Sequence, residues 1–239
     1  LSKVLVIVES NSTDGTRAEV QKWCQTRQAE ASPLATVKLI LQPGPRGKGN
    51  AVREGLAQTT GDIVLIQDGD LEYDNKDYPS LLEPLVDGRA RFVLGSRHLS
   101  AGSWKIRKFE TNPVKALVMN LGGVFFHGLF NLMYGTRLTD PTTMYKVFRR
   151  DCIEGLYFTA DRFDFDFEIL GKLIRAGYKP LEIPISYASR GFDQGKKINV
   201  LRDPWTWLIA IVKFRFSRLH VTEAERIAAP LPERDMKAK

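Results

Sequence analysis

The stretch Ile63-Val-Leu-Ile-Gln-Asp-Gly-Asp70 decides how the chain reads. Ile63 to Ile66 form a short apolar run, the pattern of a buried strand. It leads into Asp68-Gly-Asp70, two carboxylates one residue apart, which repel unless a cation lies beside them. Working outward, the same grammar repeats. Val4–Val8 is an apolar strand, a turn follows through Asn11-Ser-Thr-Asp-Gly15, and a helix runs from about Thr16 to Ala29, with Val20, Trp23 and Cys24 on one face. Val37–Leu41 is the next strand, followed by a Gly/Pro loop and a helix near Asn50–Gln58. Beyond Asp70, Asp77 caps a helix with Pro79 in its first turn, and Arg91–Leu94 returns as a strand. This alternation predicts an α/β fold, a largely parallel sheet with helices on both faces. Ligands in such sheets bind beyond the carboxyl ends of the strands, where Asp68 and Asp70 stand.

The rest of the chain changes character. Thr111–Tyr134 reads as an apolar helix, Thr143–Phe148 as a strand, Asp166–Arg175 as a helix and Leu181–Tyr187 as a strand. Arg202–Leu219 is an aromatic, basic helix, and the tail from Thr222 reads as loose. The apolar region Pro113–Tyr134 carries Lys115, Asn120, His127 and Asn131, which argues for a helix lying in an interface rather than spanning a membrane.

Composition narrows the classes. At 239 residues, 43% hydrophobic and 26% charged, the chain is that of a folded globular protein, not a disordered one. A net charge of +7 suits nucleic acid, anionic lipid or phosphorylated substrates. No RNA- or DNA-binding motif appears, and a nucleic-acid binder leaves Asp68-Gly-Asp70 unexplained, so no nucleic acid is expected as a partner. Cys24 and Cys152 have neither disulfide nor metal-ligand spacing, which fits a reducing compartment. No signal-peptide pattern precedes the strand at Val4–Val8, and a cytoplasmic location is expected.

Two segments carry the chemistry. Mg²⁺ favours one or two carboxylates together with substrate phosphates, so Asp68 and Asp70, with Glu72 as a third carboxylate at the same end, are the candidate ligands of Mg²⁺ or Mn²⁺. Gly44-Pro-Arg-Gly-Lys-Gly-Asn50 places Arg46 and Lys48 before a helix N-terminus, a combination that suits a phosphate. It lacks the Walker A spacing, and taken alone such a loop is more often a solvated turn.

Taken in order, Val8–Thr16, Arg46-Gly-Lys-Gly-Asn50 and Asp68-Gly-Asp70 resemble the motifs of family 2 glycosyltransferases, which have the GT-A nucleotide-sugar fold. Leu94-Gly-Ser-Arg-His98, Asp140–Arg150, Phe163-Asp-Phe-Asp-Phe-Glu168, and Arg190 followed by Gly195-Lys-Lys197 sharpen the match towards the dolichyl- or polyprenyl-phosphate sugar transferases. The resemblance spans about Leu1 to Phe216 and implies roles. Glu9 contacts base or ribose, Lys48 helps hold the nucleotide, and Asp68 and Asp70 bind ribose and the divalent ion. Arg190, Lys196 and Lys197 come from a loop that closes over the diphosphate, where positive charge stabilises the leaving nucleoside diphosphate. Arg97 and, beside it, Arg107 hold the acceptor phosphate with forked hydrogen bonds. Asp140 either lies near the acceptor or simply begins a turn before Pro141. Asp166 is the general base if the acceptor is a hydroxyl, although its alternation with Phe equally suits a helix cap and exposed face. Lone histidines such as His98 and His127 read as structural.

The implied reaction is a metal-dependent, inverting transfer of a sugar from a nucleoside diphosphate to a polyprenyl phosphate at the cytoplasmic face of a membrane. An already anionic acceptor needs no strong base. The alternatives are transfer to a saccharide or protein hydroxyl, and a non-catalytic nucleotide-sugar-binding remnant. The family's fold begins with one more strand, ending in a Pro-x-Tyr-Asn-Glu-like motif, before the strand matched here by Val4–Val8. No such segment is present in this sequence, so the sheet is expected to lack its first strand and to associate through the gap, as a homo-oligomer or an aggregate. The expected organisation is a catalytic domain over 1–200, an amphipathic interfacial helix over 201–220 and a flexible tail over 221–239. From Arg190 to His220 seven Lys and Arg stand against two Asp, a balance of +5 that suits anionic headgroups.

Overall fold

The computed structural model describes residues 3–29, 35–104, 113–189 and 203–228. Strands β1 (Lys3–Glu9) and β2 (Ala35–Leu41) pair in parallel, from Lys3 opposite Ala35 to Glu9 opposite Leu41. Helix α1 (Thr16–Ala29) makes the crossover between them, as a parallel pair requires. Helix α2 (Lys48–Leu56) then leads to β3 (Ile63–Leu65), and α3 (Tyr78–Val86) to β4 (Phe92–Ser96). The short helix α4 (Arg97–Ala101) starts directly on the end of β4, and α5 (Pro113–Tyr134) is the longest element. β5 (Lys146–Arg149), α6 (Phe165–Arg175), β6 (Leu181–Pro184), α7 (Asp203–Phe216) and α8 (Glu223–Ala228) complete the order.

The second sheet runs β3-β5-β4-β6. β4 and β6 are parallel, whereas β5 enters antiparallel to both β3 and β4. The expectation was a largely parallel sheet, and β5 is the strand that runs against the others in this one. β1 and β3 are not hydrogen-bonded to each other, and each has a single strand neighbour among the described residues.

The core lies on this second sheet. Phe92, Val93 and Leu94 of β4 and Val147 and Phe148 of β5 are fully buried, as expected for strands covered on both faces. Leu81 and Leu85 of α3, Ile169, Leu170 and Leu173 of α6, Phe130 of α5 and Ile211 and Phe214 of α7 cover them. The aromatic helix α7 therefore has a buried stripe at Ala210, Ile211 and Phe214, and exposed Trp205, Ile209 and Phe216 opposite it. Trp207 turns inward, edge-on to Phe126 at 5.4 Å.

Four local readings change. Thr143 donates its N–H to the Asp140 carbonyl in a turn, so β5 starts only at Lys146. Asp77 precedes α3, but its carboxylate accepts from the Ser186 N–H at 2.7 Å instead of capping that helix. On α1 Cys24 alone is buried among the described side chains, and Trp23 is exposed beneath the Arg27 guanidinium. The start of the tail is helical: the Thr222 hydroxyl accepts from Glu225 N–H while Glu225 accepts from Thr222 N–H, a capping box that opens α8.

Candidate active site

The loops at the carboxyl ends of β1, β2 and β3 meet the segment that leads into α6. Glu9 ends β1, buried, and accepts from Ser12 N–H at 2.6 Å, Asn11 N–H at 3.1 Å and the Arg17 guanidinium. Burial pushes its carboxyl up, but the Ser12 amide and the Arg17 charge outweigh that and hold it at about 2. Its backbone carbonyl takes Gln42 N–H, and Gln42 Nε2 in turn donates to Asn50 of α2 at 2.9 Å. Glu9 thus fixes its own loop and, through Gln42, the glycine loop.

That glycine loop owes its glycines to close packing. Gly47 has φ 99°, and a Cβ there would collide with the Asp161 carbonyl. A Cβ on Gly49 would lie 2.6 Å from the Ala160 carbonyl and 2.7 Å from Phe165 Cβ. The first turn of α2 is pinned there by Asn50 N–H to the Asp161 carbonyl at 3.0 Å, and Arg53 pairs with the Asp161 carboxylate.

This packing aims Lys48. Its Nζ lies 3.2 Å from Asp68 Oδ2 and 3.3 Å from Asp166 Oδ2, and the other oxygen of Asp166 accepts from Lys146 Nζ at 3.1 Å. Four charges from four segments share one network. Burial lowers the proton affinity of Lys48, but Asp166 and then Asp68 more than reverse this, so it stays charged. Burial raises Asp166, while Lys146 and then Lys48 pull it below its ordinary value. Burial raises Asp68 against the pull of Lys48. Burial is also what lowers Lys146, which has no exposed side-chain surface. Sequence reasoning missed Lys146. The available signal was a lysine inside the apolar run Met144-Tyr-Lys-Val-Phe148, which needs a buried carboxylate.

Asp70 accepts from Glu72 N–H at 3.1 Å, and Glu72 Oε2 accepts from the Tyr187 hydroxyl at 3.2 Å. The Tyr187 ring lies under the Arg97 guanidinium at 5.0 Å, which links the carboxylate end to the end of β4. Arg97 is buried and bidentate on Asp140, with Nε and Nη2 each 2.6 Å from an oxygen, and Nη2 also reaches the Thr142 hydroxyl at 3.0 Å. Burial raises Asp140, but Arg97 drives it far below the ordinary carboxylate range. Nη1 is the guanidinium nitrogen not engaged by Asp140 or Thr142. Arg107, Arg190, Lys196 and Lys197 lie outside the described residues.

Sheet, helices and strand-end carboxylates place the molecule in the GT-A class of α/β folds. Glucosyl-3-phosphoglycerate synthase of Mycobacterium tuberculosis, solved with Mn²⁺, UDP-glucose and glycerol 3-phosphate, superposes with a TM-score of 0.53 at 19% identity, over 88% of this chain and 68% of that one. Residues 3–156 match glycosyl transferase family 2, and the chain belongs to that family. It is 26% identical over 197 residues to a dolichol-phosphate mannosyltransferase of Pyrococcus furiosus, covering 82% of this chain and 51% of that protein. It is also 26% identical over 196 residues to an undecaprenyl-phosphate mannosyltransferase of Micrococcus luteus, covering 80% of this chain and 74% of that protein. The chain therefore spans about half the length of the Pyrococcus relative.

Proposed function

We propose that the chain carries the catalytic domain of an inverting hexosyltransferase that moves a sugar from a nucleoside diphosphate to a polyprenyl phosphate. The observation that supports this most is the Lys48–Asp68–Asp166–Lys146 network at the strand ends. Lys48 is held charged where a diphosphate would lie beside Asp68-Gly-Asp70. Asp166, clasped by two lysines and kept below its ordinary pKa, is a weak base. A hydroxyl acceptor needs a base; a phosphate acceptor, already an anion, does not. The relatives named for dolichol and undecaprenyl phosphate favour the same choice.

Asp68 and Asp70, with Glu72 behind them, offer oxygen donors suited to Mg²⁺ or Mn²⁺, and the Mn²⁺ complex of the M. tuberculosis neighbour agrees with that chemistry. Such an ion supplies charge neutralisation for the departing diphosphate. Arg190, Lys196 and Lys197 are proposed to add to it, with Arg107 beside Arg97 at the acceptor. Asp140, wholly buried on Arg97, acts as a positioning residue that leaves Nη1 to face the acceptor phosphate.

A lipid acceptor calls for an apolar surface. Ala116–Tyr134 of α5 is long and apolar enough to cross a membrane, with mean hydropathy 1.5. Its buried side carries Asn120, His127, Phe130 and Tyr134, and its outer side exposes Val118, Leu121, Phe125 and Leu132. Together with Trp205 and Phe216 of α7 this apolar surface fits a helix lying on the cytoplasmic face of an anionic membrane. The test supplies nucleoside-diphosphate hexoses, Mg²⁺ or Mn²⁺, and undecaprenyl phosphate in vesicles. Hexosyl-phosphoryl-undecaprenol should form with release of nucleoside diphosphate; transfer only to soluble saccharide hydroxyls would overturn the proposal.

A further inference from the structure

A second polar cluster lies away from Asp68 and Asp70. His98 follows Arg97 on α4, His127 faces inward from α5, and Asp140 stands in the turn before β5. One ligand atom from each comes within 4.8 Å of the other two. The imidazole rings meet edge to face at 5.2 Å. Both line a cavity of about 370 Å³, with Ser103, Trp104, Val124 and Thr139 around them.

The proton positions matter here. His98 Nδ1 lies 3.1 Å from the Ser103 carbonyl, which only accepts, so Nδ1 carries the hydrogen and Nε2 of the neutral ring carries a lone pair. That Nε2 is buried and finds no hydrogen-bond partner among the described residues. An imidazole fixed by a backbone carbonyl, with its other nitrogen left open, is the arrangement that orients a metal-binding histidine. His127 Nε2 lies 3.1 Å from the Thr142 hydroxyl, which an incoming ion would displace, and 3.9 Å from Asp140 Oδ1; the Asp140 carboxylate is itself held by the backbone N–H and guanidinium of Arg97.

We propose that His98, His127 and Asp140 form a binding site for a transition-metal ion of the Zn²⁺ type, distinct from the ion at Asp68 and Asp70. Zn–ligand bonds of 2.0–2.1 Å put neighbouring ligand atoms about 3.3 Å apart, so the cluster closes by about 1.5 Å at most on binding. Arg97 draws charge from Asp140, leaving the two imidazoles as the dominant donors. That selects Zn²⁺, Co²⁺ or Ni²⁺ over Mg²⁺, which prefers oxygen. The ion would tie α5 to the end of β4 and turn its remaining coordination position towards the cavity.

Metal content and cobalt spectra test this without an activity assay. The chain is dialysed against Zn²⁺ in excess Mg²⁺, and separately titrated with Co²⁺ while its visible absorption is followed. Asp70→Ala should keep one Zn²⁺ per chain and the Co²⁺ bands. His98→Ala and His127→Ala should bind at least about 100-fold more weakly and lose the bands. Because His127 is buried, circular dichroism checks its variant, and His98→Ala at a partly exposed position carries the test if that variant unfolds. Equal Zn²⁺ retention in His98→Ala, loss of Zn²⁺ in Asp70→Ala alone, or no retention by the unsubstituted chain overturns the proposal.

Discussion

Two carboxylates two residues apart on α6, Asp166 and Glu168, each face a buried lysine, and they do opposite work. Glu168 has no exposed surface. It accepts from Thr159 N–H, Ala160 N–H and Lys172 Nζ at 2.7–2.9 Å. Lys172 is closed in by the rings of Tyr157, Phe158 and Phe214, each 5.6 Å away, and burial lowers its pKa. This pair is sealed and complete. Asp166 keeps 14% of its side-chain surface; its partner Lys48 keeps 20%, and Asp68, on the far side of Lys48, keeps 32%. Its network runs from the core at Lys146 out to the strand ends, where an anionic ligand and a cation can join it. The same pairing of charges holds a loop in one case and, in the proposed function, presents charge to a ligand in the other. What separates them is whether the last partner reaches solvent.

Breaking each side should have different consequences. The largest expected effect is from Asp70→Ala, which removes an oxygen donor at the open end. Transfer from nucleoside-diphosphate sugar should fall by about 10²–10³-fold, while the melting temperature holds or rises because carboxylate repulsion is relieved. Full activity in that variant would remove Asp70 from the chemistry. Next comes Glu168→Ala on the sealed side. It strands Lys172 in the core and should cost about 3–5 kcal/mol in urea unfolding. Because Glu168 holds Thr159 and Ala160, against which the Lys48 loop packs, kcat/KM of the folded fraction should fall, but far less than in Asp70→Ala. A loss of kcat/KM as large as that of Asp70→Ala would mean that the two clusters are not separate.

Lys146→Met sharpens the comparison from within the open network. Without Lys146, Asp166 and with it Lys48 lose their anchor, and misplacing a substrate-holding group costs up to about 10²-fold. The expected change is in kcat/KM for the donor, read by initial rates; an unchanged value would reduce Lys146 to a core residue. The smallest effect is the pH dependence due to Glu9. Its folded pKa of about 2 is depressed from the ordinary glutamate value of about 4.3. Its stabilising contribution is therefore present above about pH 4.3 and lost as pH falls through about 2. The stability gap between the chain and Glu9→Gln should be full at pH 7 and shrink at pH 3. A gap independent of pH would show that the Ser12 and Arg17 contacts do not depend on the charge.

Much of the strand-end cluster was legible in the chain because its signals are local. A short apolar run followed by Asp68-Gly-Asp70, and a glycine loop before a helix, each lie within one window of residues. The capping box Thr222-Glu-Ala-Glu225 was equally local, and went unread because the surrounding tail is polar. The alternation Phe163-Asp-Phe-Asp-Phe-Glu168 was not decisive: near a helix start, neighbouring residues point in directions about 100° apart, and sequence alone does not say which of them faces a ligand. The tertiary structure separates Asp166 from Glu168.

The sequence by itself determined the order of strands and helices, the class of fold and the placing of carboxylates at a strand end, because hydrophobic periodicity and turn chemistry act over a few residues. Only the tertiary structure decided that Arg97 is bidentate on Asp140 across 43 positions, that Lys48 meets Asp166 across 118, and that β5 slots antiparallel between β3 and β4. Such partners have no spacing rule. They are chosen by the requirement that a buried charge find its opposite, and that choice is made only when distant segments close on one another.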